Sequence, residues 1–197
     1  MTSPALTSSL DDFTRSRQAL TLAFAWGLSE ATFFFIVPDV MLTLLACRAL
    51  RPALRASLAA LAGALVGGAL MYVFGLRAPD TARFFLDRVP AISPDLIVRV
   101  ASQISESGLT AVLVGPIKGI PYKIYAVESG ARQHSFITFM LISIPARYVR
   151  FFLASVVARV IARLIEPLTH HRAAIEMLIL GVVWIAFYGY YFAHFGW

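Results

Sequence analysis

Seven charged residues lie in stretches that are otherwise apolar, where a charge needs a partner or water. They are Glu30, Asp39, Lys118, Lys123, Glu128, Arg147 and Arg150. Uncompensated at the centre of a bilayer, each would cost about 3 kcal/mol and the set roughly 20 kcal/mol. That exceeds the net stability of a typical protein, about 5–15 kcal/mol. We therefore expect these four cations and three anions to share one polar cavity that can bind a substrate or an ion.

Prolines and glycines interrupt the same stretches. Residues 115–130 hold the only two lysines of the chain. The residues expected to break the backbone are Pro38, Gly115, Pro116, Gly119, Pro121 and Gly130. A proline removes a backbone donor and clashes with the preceding helical turn. Broken backbone at membrane depth is tolerated only where protein or a water-filled cavity surrounds it, so we predict that these breaks line a site.

Two of the charges lie where a half-helix would begin. Asp39 follows Pro38, so its carboxylate can either cap the free amides or belong to the site. Lys123 lies two residues after Pro121, where the helix dipole opposes a cation. It needs an anion nearby, which can be Asp39, Glu30 or the phosphate of a ligand. The alternative for both lysines is that they extend to lipid headgroups.

The remaining charges suggest anion binding and proton transfer. Arg147 and Arg150 are three positions apart, hence on one helix face, and can bind a phosphate, hold a carboxylate or lie at the membrane surface. Glu30 is the candidate proton carrier, because desolvation favours the neutral form of a carboxylic acid, whereas a fixed arginine partner would keep it charged. The sequence contains no nucleophile, P-loop or metal motif. We therefore predict neither an enzyme nor a metal or cofactor site.

Composition indicates that membrane helices position these residues. The chain has 197 residues, 59% hydrophobic and 14% charged, with a mean hydropathy of +0.75, which is too apolar for one soluble core. We predict an all-α polytopic membrane protein with two inverted repeats, each a re-entrant hairpin followed by a transmembrane helix, plus a C-terminal transmembrane helix. The predicted order is a polar segment 1–18, a membrane domain 19–165 and the last helix 173–197. Within the domain we expect a hairpin at 19–50, a transmembrane helix at 56–76, an interfacial linker at 77–107, a hairpin at 108–130 and a transmembrane helix at 136–160.

The basic residues indicate lipid rather than nucleic acid as the partner. The net charge is +6, and its arginines form short clusters beside apolar spans instead of one soluble face. With both hairpins re-entrant, the clusters 15–17, 48–55 and 159–172 fall on one side, which the positive-inside rule makes cytoplasmic. We thus expect a cytoplasmic N-terminus in a bacterial inner membrane, with homo-oligomers left open. Small residues four apart, such as Gly63 and Gly67, permit close helix packing, although membrane helices are generally rich in them.

Several short motifs resemble those of the DedA family, whose members carry the SNARE-associated or VTT domain, and most closely its YqaA-like branch. The first half reads Ser-Glu-Ala-Thr-Phe at 29–33 and Val-Pro-Asp-Val-Met-Leu at 37–42. The second reads Gly-Pro-Ile-Lys-Gly-Ile-Pro-Tyr-Lys at 115–123, Ser-Gly at 129–130 and Arg-Tyr-Val-Arg-Phe-Phe at 147–152. The resemblance covers about residues 20–165. Lysines replace the arginines of the main-branch pattern, and Glu128 stands where a small residue is usual.

The resemblance implies facing re-entrant hairpins, with Glu30 and Asp39 as an acidic pair and Lys118 and Lys123 near the basic positions. It also implies transport of lipids or lipid carriers such as undecaprenyl phosphate between leaflets, with dependence on the proton motive force. We accordingly predict a transporter, a flippase or scramblase, of a phosphate-bearing lipid, with a proton-coupled step at Glu30. The alternatives are an ion-coupled transporter of a small soluble anion and a non-transporting membrane-homeostasis or assembly protein.

Overall fold

The computed structural model describes residues 11–165 and 172–195, and every regular element in these ranges is helical. We label the main helices α1 to α9 in chain order. Their bounds are α1 Arg17–Thr32, α2 Asp39–Arg48, α3 Leu50–Arg77, α4 Pro79–Leu86, α5 Pro94–Ser107, α6 Thr110–Val114, α7 Tyr122–Ala131, α8 Phe136–Ile165 and α9 Arg172–Phe195. A short 3₁₀ helix, Pro116–Lys118, lies between α6 and α7. The all-helical fold class is thereby confirmed.

Both predicted breaks in the backbone are present. The first separates α1 from α2, and Asp39 is the first residue of α2, directly after Pro38. The second separates α6 from α7 and includes Gly119, whose φ of 85° is in the left-handed region that favours glycine. The break ends at Pro121, and α7 begins at Tyr122. Each half of the chain thus has a broken segment followed by one long helix.

Each half of the chain packs one of its short helices against the long helix of the other half. The first helix of each broken segment packs on the long helix of its own half: α1 on α3, and α6 on α8. The second helix of each also packs on the long helix of the opposite half: α2 on α8, and α7 on α3. This reciprocal packing brings the two breaks to the middle of the molecule.

Close contacts between helices depend on glycines. A Cβ at Gly63 of α3 would overlap the carbonyl oxygen of Phe24 in α1, and a Cβ at Gly75 would overlap the carbonyl oxygen of Val127 in α7. The predicted role of small residues in helix packing is therefore confirmed for α3.

The segment predicted as an interfacial linker forms α4 and α5. Each begins with a proline in its first turn, and the side chain of Ser93 accepts a hydrogen bond from the amide of Leu96 at the start of α5. The buried face of α5 packs into a core cluster together with α7 and part of α3. That face consists of Leu96, Ile97, Val100 and Ile104. A second core cluster joins α1, α2 and α8 with the first part of α3.

Two of the described helices are long and apolar enough to cross a membrane, α3 and the portion Ile175–Ala193 of α9. The predicted crossing 136–160 belongs to α8, which continues to Ile165 and so includes Arg159 and Arg163. The helix passes the predicted end at residue 160 because residues 161–165 contain no helix breaker. Part of the predicted basic cluster 159–172, residues 166–171, lies outside the described residues, as do residues 1–10 of the predicted polar segment.

The outer surface is rich in large apolar side chains. Exposed examples occur on α3, α8 and α9, and they include Leu70, Leu141, Leu164, Leu178 and Ile185. Ile185, for instance, is 75% exposed. Soluble monomers rarely expose extended apolar surfaces of this kind, so the surface is compatible with a membrane protein.

Candidate functional site

A cavity of about 460 Å³ lies where the two broken segments meet α8 and α9. Five of the seven predicted charges line it: Glu30, Asp39, Lys123, Arg147 and Arg150. They come from the end of α1 and the starts of α2 and α7, together with the middle of α8. The shared cavity predicted from the sequence is therefore present for these five residues, while Lys118 and Glu128 lie elsewhere.

Glu30 and Arg147 form a buried ion pair. Both nitrogens at the end of the Arg147 guanidinium donate to Glu30, one to Oε1 at 3.4 Å and the other to Oε2. The guanidinium also lies near two aromatic rings, with its Cζ 5.1 Å from the Tyr122 ring centroid and 4.9 Å from that of Phe151. The Arg147 side chain is only 1% exposed. Of the alternatives for Arg147, the structure shows a carboxylate held in place.

Asp39 and Arg150 form the second ion pair, one helical turn further along α8. Arg150 Nη2 donates to Asp39 Oδ2 at 2.6 Å. The other carboxylate oxygen of Asp39, Oδ1, has no hydrogen-bond partner among the described residues, so Asp39 pairs with Arg150 rather than capping the amides of α2. Its place in the first turn still lets the carboxylate interact favourably with the helix dipole.

Lys123 differs from the two arginines in its partner. Its ammonium donates to the backbone carbonyl oxygen of Phe34 at 2.7 Å, in the first break of the chain. The anion that we expected beside Lys123 is not in hydrogen-bond contact within the described residues, although Glu30 acts on it electrostatically. This hydrogen bond links the two breaks, because Lys123 lies in the first turn of α7, directly after the second break, and Phe34 lies in the first break.

The charges that line the cavity do not cancel. Three cations and two carboxylates leave one positive charge in excess. Two buried polar atoms of the site, Asp39 Oδ1 and Arg147 Nε, have no hydrogen-bond partner in the part of the chain that the structure describes. Buried polar groups are nearly always paired, so both atoms call for a further partner: Arg147 Nε can donate to an anion, whereas Asp39 Oδ1 requires a hydrogen-bond donor. The net charge makes an anion the complementary ligand.

Aromatic side chains of α9 form another wall of the cavity. Tyr188 Oη accepts a hydrogen bond of 2.8 Å from the amide of Val37, which links α9 to the first break. Sequence reasoning did not identify Tyr188 and Tyr191 as site residues, although both line the cavity. A helical pattern of aromatic residues, at 184, 187, 188 and 191, was the available signal.

The two remaining predicted charges lie outside this cavity. Lys118 is exposed, at the end of the 3₁₀ helix. Glu128 is fully buried in the second half of α7, where it accepts hydrogen bonds from Arg83 of α4 at 2.8 and 3.1 Å and pairs with Arg132. Hydrogen bonding to Glu128 raises the pKa of Arg83 above its usual value. Glu128 therefore joins the linker to α7 and does not contribute to the cavity.

The predicted backbone breakers have different positions. Pro116, Gly119 and Pro121 line the cavity. Pro38 precedes α2, and Gly115 follows α6 in close contact with Tyr125. Gly130 does not break the chain, because it lies inside α7 and lets that helix approach the carbonyl of Tyr72.

Two of the predicted basic clusters, 48–55 and 159–172, lie in contact. Arg159 of α8 donates to the carbonyl oxygen of Cys47 at 2.7 Å and to that of Arg48 at 3.4 Å. Arg48 in turn lies 4.0 Å from Asp11, in the predicted polar N-terminal segment.

Comparisons with known proteins do not show which family the chain belongs to. An uncharacterized protein of Haemophilus influenzae is 26% identical over 129 residues, which are 66% of this chain and 66% of that protein. No protein-family model matches the chain, and no solved structure matches it. Within the described residues, no three side chains of the types that bind metals lie close enough together to hold an ion. The site is therefore interpreted from its own geometry.

Proposed function

We propose that this protein is an integral membrane protein that moves a phosphate-bearing lipid between the leaflets of a bacterial cytoplasmic membrane. In this proposal the two broken segments are re-entrant hairpins of an inverted repeat, and the phosphate binds in the cavity between them. The two long apolar helices and the exposed apolar surface support the membrane location. The reciprocal packing of the two halves supports the inverted repeat.

The excess positive charge of the cavity is the observation that carries the proposal. Lys123 is 2% exposed and is held by a carbonyl oxygen rather than by a carboxylate. Its ammonium can therefore donate a hydrogen bond to a phosphate oxygen without first losing a carboxylate partner. The cavity walls are otherwise mainly apolar and aromatic, with Leu153, Val183 and Phe187 among them. A cavity that combines a cation with apolar walls is complementary to a lipid, whose phosphate is anionic and whose neighbouring groups are apolar.

The two ion pairs provide a means of binding and release. Without a ligand, Glu30 and Asp39 neutralise Arg147 and Arg150. A phosphate that reaches Lys123 can draw on the arginines, which offer several donors in a planar arrangement. Transfer of a proton to Glu30 would remove its charge and leave the Arg147 guanidinium available to the phosphate. When the lipid leaves, loss of that proton restores the ion pair.

A non-transporting assembly role is the second candidate, and the ion pairs themselves favour it. Both carboxylates already have arginine partners, so these charges can simply hold the broken segments against α8. In that case the pairs only fix the structure, and their replacement by apolar residues of similar volume would preserve function.

Reconstitution into liposomes tests the proposal. Fluorescent lipids with a phosphate-bearing head and with a neutral head are placed in both leaflets, and the fraction accessible to a reducing agent outside is followed in time. We expect the protein to accelerate movement of the phosphate-bearing lipid and to leave the neutral lipid near the rate of empty liposomes. Equal rates with and without folded protein would contradict lipid transport. Inhibition by inorganic phosphate would indicate direct competition for the site.

A further inference from the structure

A second cavity, of about 190 Å³, lies between α8 and α9 beside the charged one. The two cavities share three lining residues, Ala154, Val183 and Trp184. Most of its remaining wall is apolar and is provided by Val157, Ala158, Ile161, Ala162, Ile165, Ile179 and Leu180, while Thr43, Cys47 and Glu176 complete the lining. We call this cavity the apolar groove. It adjoins the charged cavity at these three residues.

We propose that the apolar groove binds the hydrocarbon chain of the same amphiphile whose phosphate lies in the charged cavity. This inference rests on the proposed function. It adds a second subsite and predicts that affinity comes from the chain as well as from the phosphate.

The order of residues along α8 supports a continuous site for an elongated ligand. The charged cavity is lined by α8 from Arg147 to Ala154, and the apolar groove from Ala154 to Ile165. At 1.5 Å per helical residue, the groove extends for about 16 Å along α8. A ligand with its phosphate near Lys123 can therefore place its chain along the last three turns of α8.

The chemistry of the shared residues suits a chain. The indole nitrogen of Trp184 already donates to Thr43 Oγ1 at 3.2 Å, so the polar edge of the ring is satisfied and its apolar surface remains for contact. Burial of each methylene group is worth about 0.8 kcal/mol. Even a few methylenes in the groove would thus raise affinity by more than tenfold over a free phosphate.

Helix α9 leaves the groove accessible from the side. Only 6% of its apolar span is buried, and its contacts with α8 and α2 are few. A chain can therefore enter between α8 and α9 without threading through the protein.

Trp184 offers a direct reporter of the chain. In the full-length Trp26→Phe/Trp197→Phe protein in detergent, Trp184 is the one remaining tryptophan. Bromine quenches tryptophan fluorescence on contact, so the probe is a dodecyl phosphate brominated on its chain. The control probes are the corresponding brominated dodecanol, which lacks the charge, and inorganic phosphate, which lacks the chain.

The matched substitutions are Ala154→Leu, at the junction of the two cavities, and Ala69→Leu, which is half-buried on α3 and lines neither cavity. We expect saturable quenching by the alkyl phosphate at concentrations at least tenfold below those needed for the alcohol. Ala154→Leu should raise the half-saturating concentration at least tenfold, whereas Ala69→Leu should leave it unchanged. Inorganic phosphate should reverse the quenching only at much higher concentration.

Two results would overturn the inference in different ways. If phosphate protects the protein against heat in a Lys123-dependent manner but the alkyl phosphate never quenches Trp184, the chain does not lie in the groove and the proposed function stands. If the alkyl phosphate and the alcohol quench equally and Lys123→Gln changes neither, the groove binds chains without a phosphate site. That second result would contradict the proposed function itself.

Discussion

Glu30 and Arg147 lie 117 positions apart in the chain and form a buried ion pair at its centre. Glu30 belongs to α1 in the first half, and Arg147 to α8 in the second. Together with Asp39 and Arg150, the pair fixes the first broken segment against the long helix of the other half. The halves are thus joined by charges that also line the candidate site.

The Glu30 and Arg147 pair should behave as one unit in stability measurements. Removal of either partner leaves an uncompensated buried charge, so Glu30→Gln and Arg147→Met should each cost about 3–5 kcal/mol. The double variant should cost clearly less than the sum. Denaturant unfolding in detergent measures the difference.

Arg83, which does not contact this pair, provides the control for the comparison of single and double variants. Glu30→Gln combined with Arg83→Met should be additive within about 0.5 kcal/mol, because the two residues share no partner. Additivity of Glu30→Gln with Arg147→Met as well would contradict the pairing.

Glu128 should matter for stability and not for lipid selectivity. Glu128→Gln removes the buried charge that pairs with Arg83 and Arg132, which lowers the thermal midpoint. The lipid that the folded variant moves should be unchanged, since Glu128 does not line the cavity. A folded Glu128→Gln protein that moved neutral and phosphate-bearing lipids equally would place Glu128 back in the site.

The pH dependence of the contribution from Arg83 follows from the direction of its shift. The hydrogen bonds to Glu128 raise the pKa of Arg83 in the folded protein above its ordinary value. Its stabilising contribution is therefore complete below the unfolded pKa and is lost only at more alkaline pH. A loss of stability near neutral pH that disappears in the Arg83→Met variant would contradict this assignment.

The sequence predicted the local positions of the charges and could not predict their partners. Pro38 and Pro121 indicated that Asp39 and Lys123 begin half-helices, because the effect of a proline is local. The spacing of Arg147 and Arg150 likewise indicated one helix face. Which carboxylate each arginine binds depends on how two halves more than 100 residues apart pack, and no local pattern encodes that.

Two further differences have identifiable physical causes. Glu128 was grouped with the site because it is a charge in the same apolar, broken stretch. On α7, however, it lies five residues from Lys123, about 7.5 Å along the axis and on a different face. Tyr188 was not predicted as a site residue, because its position near the end of the last helix is typical of aromatic residues at a membrane surface. Its hydrogen bond to Val37 depends on the tertiary approach of α9.

The glycines of α3 should tolerate no side chain. Gly63→Ala places a Cβ against the backbone of Phe24, so α1 must move away from α3 and stability should fall. The control is Gly181→Ala on α9, where no atom lies within 4 Å of the added Cβ. That substitution should raise stability by up to about 1 kcal/mol through helix propensity. Equal thermal midpoints for the two variants would contradict the close packing of α1 on α3.

The two lysines of the chain allow the most direct test of the central claim. Lys123 is buried in the cavity, whereas Lys118 is exposed and does not line it. Both are changed to glutamine and compared in the liposome assay with the phosphate-bearing lipid. The account predicts that Lys123→Gln reduces the rate at least tenfold in a folded protein, while Lys118→Gln retains the wild-type rate. Unchanged movement in Lys123→Gln, or equal losses in the two variants, would contradict a phosphate site in this cavity.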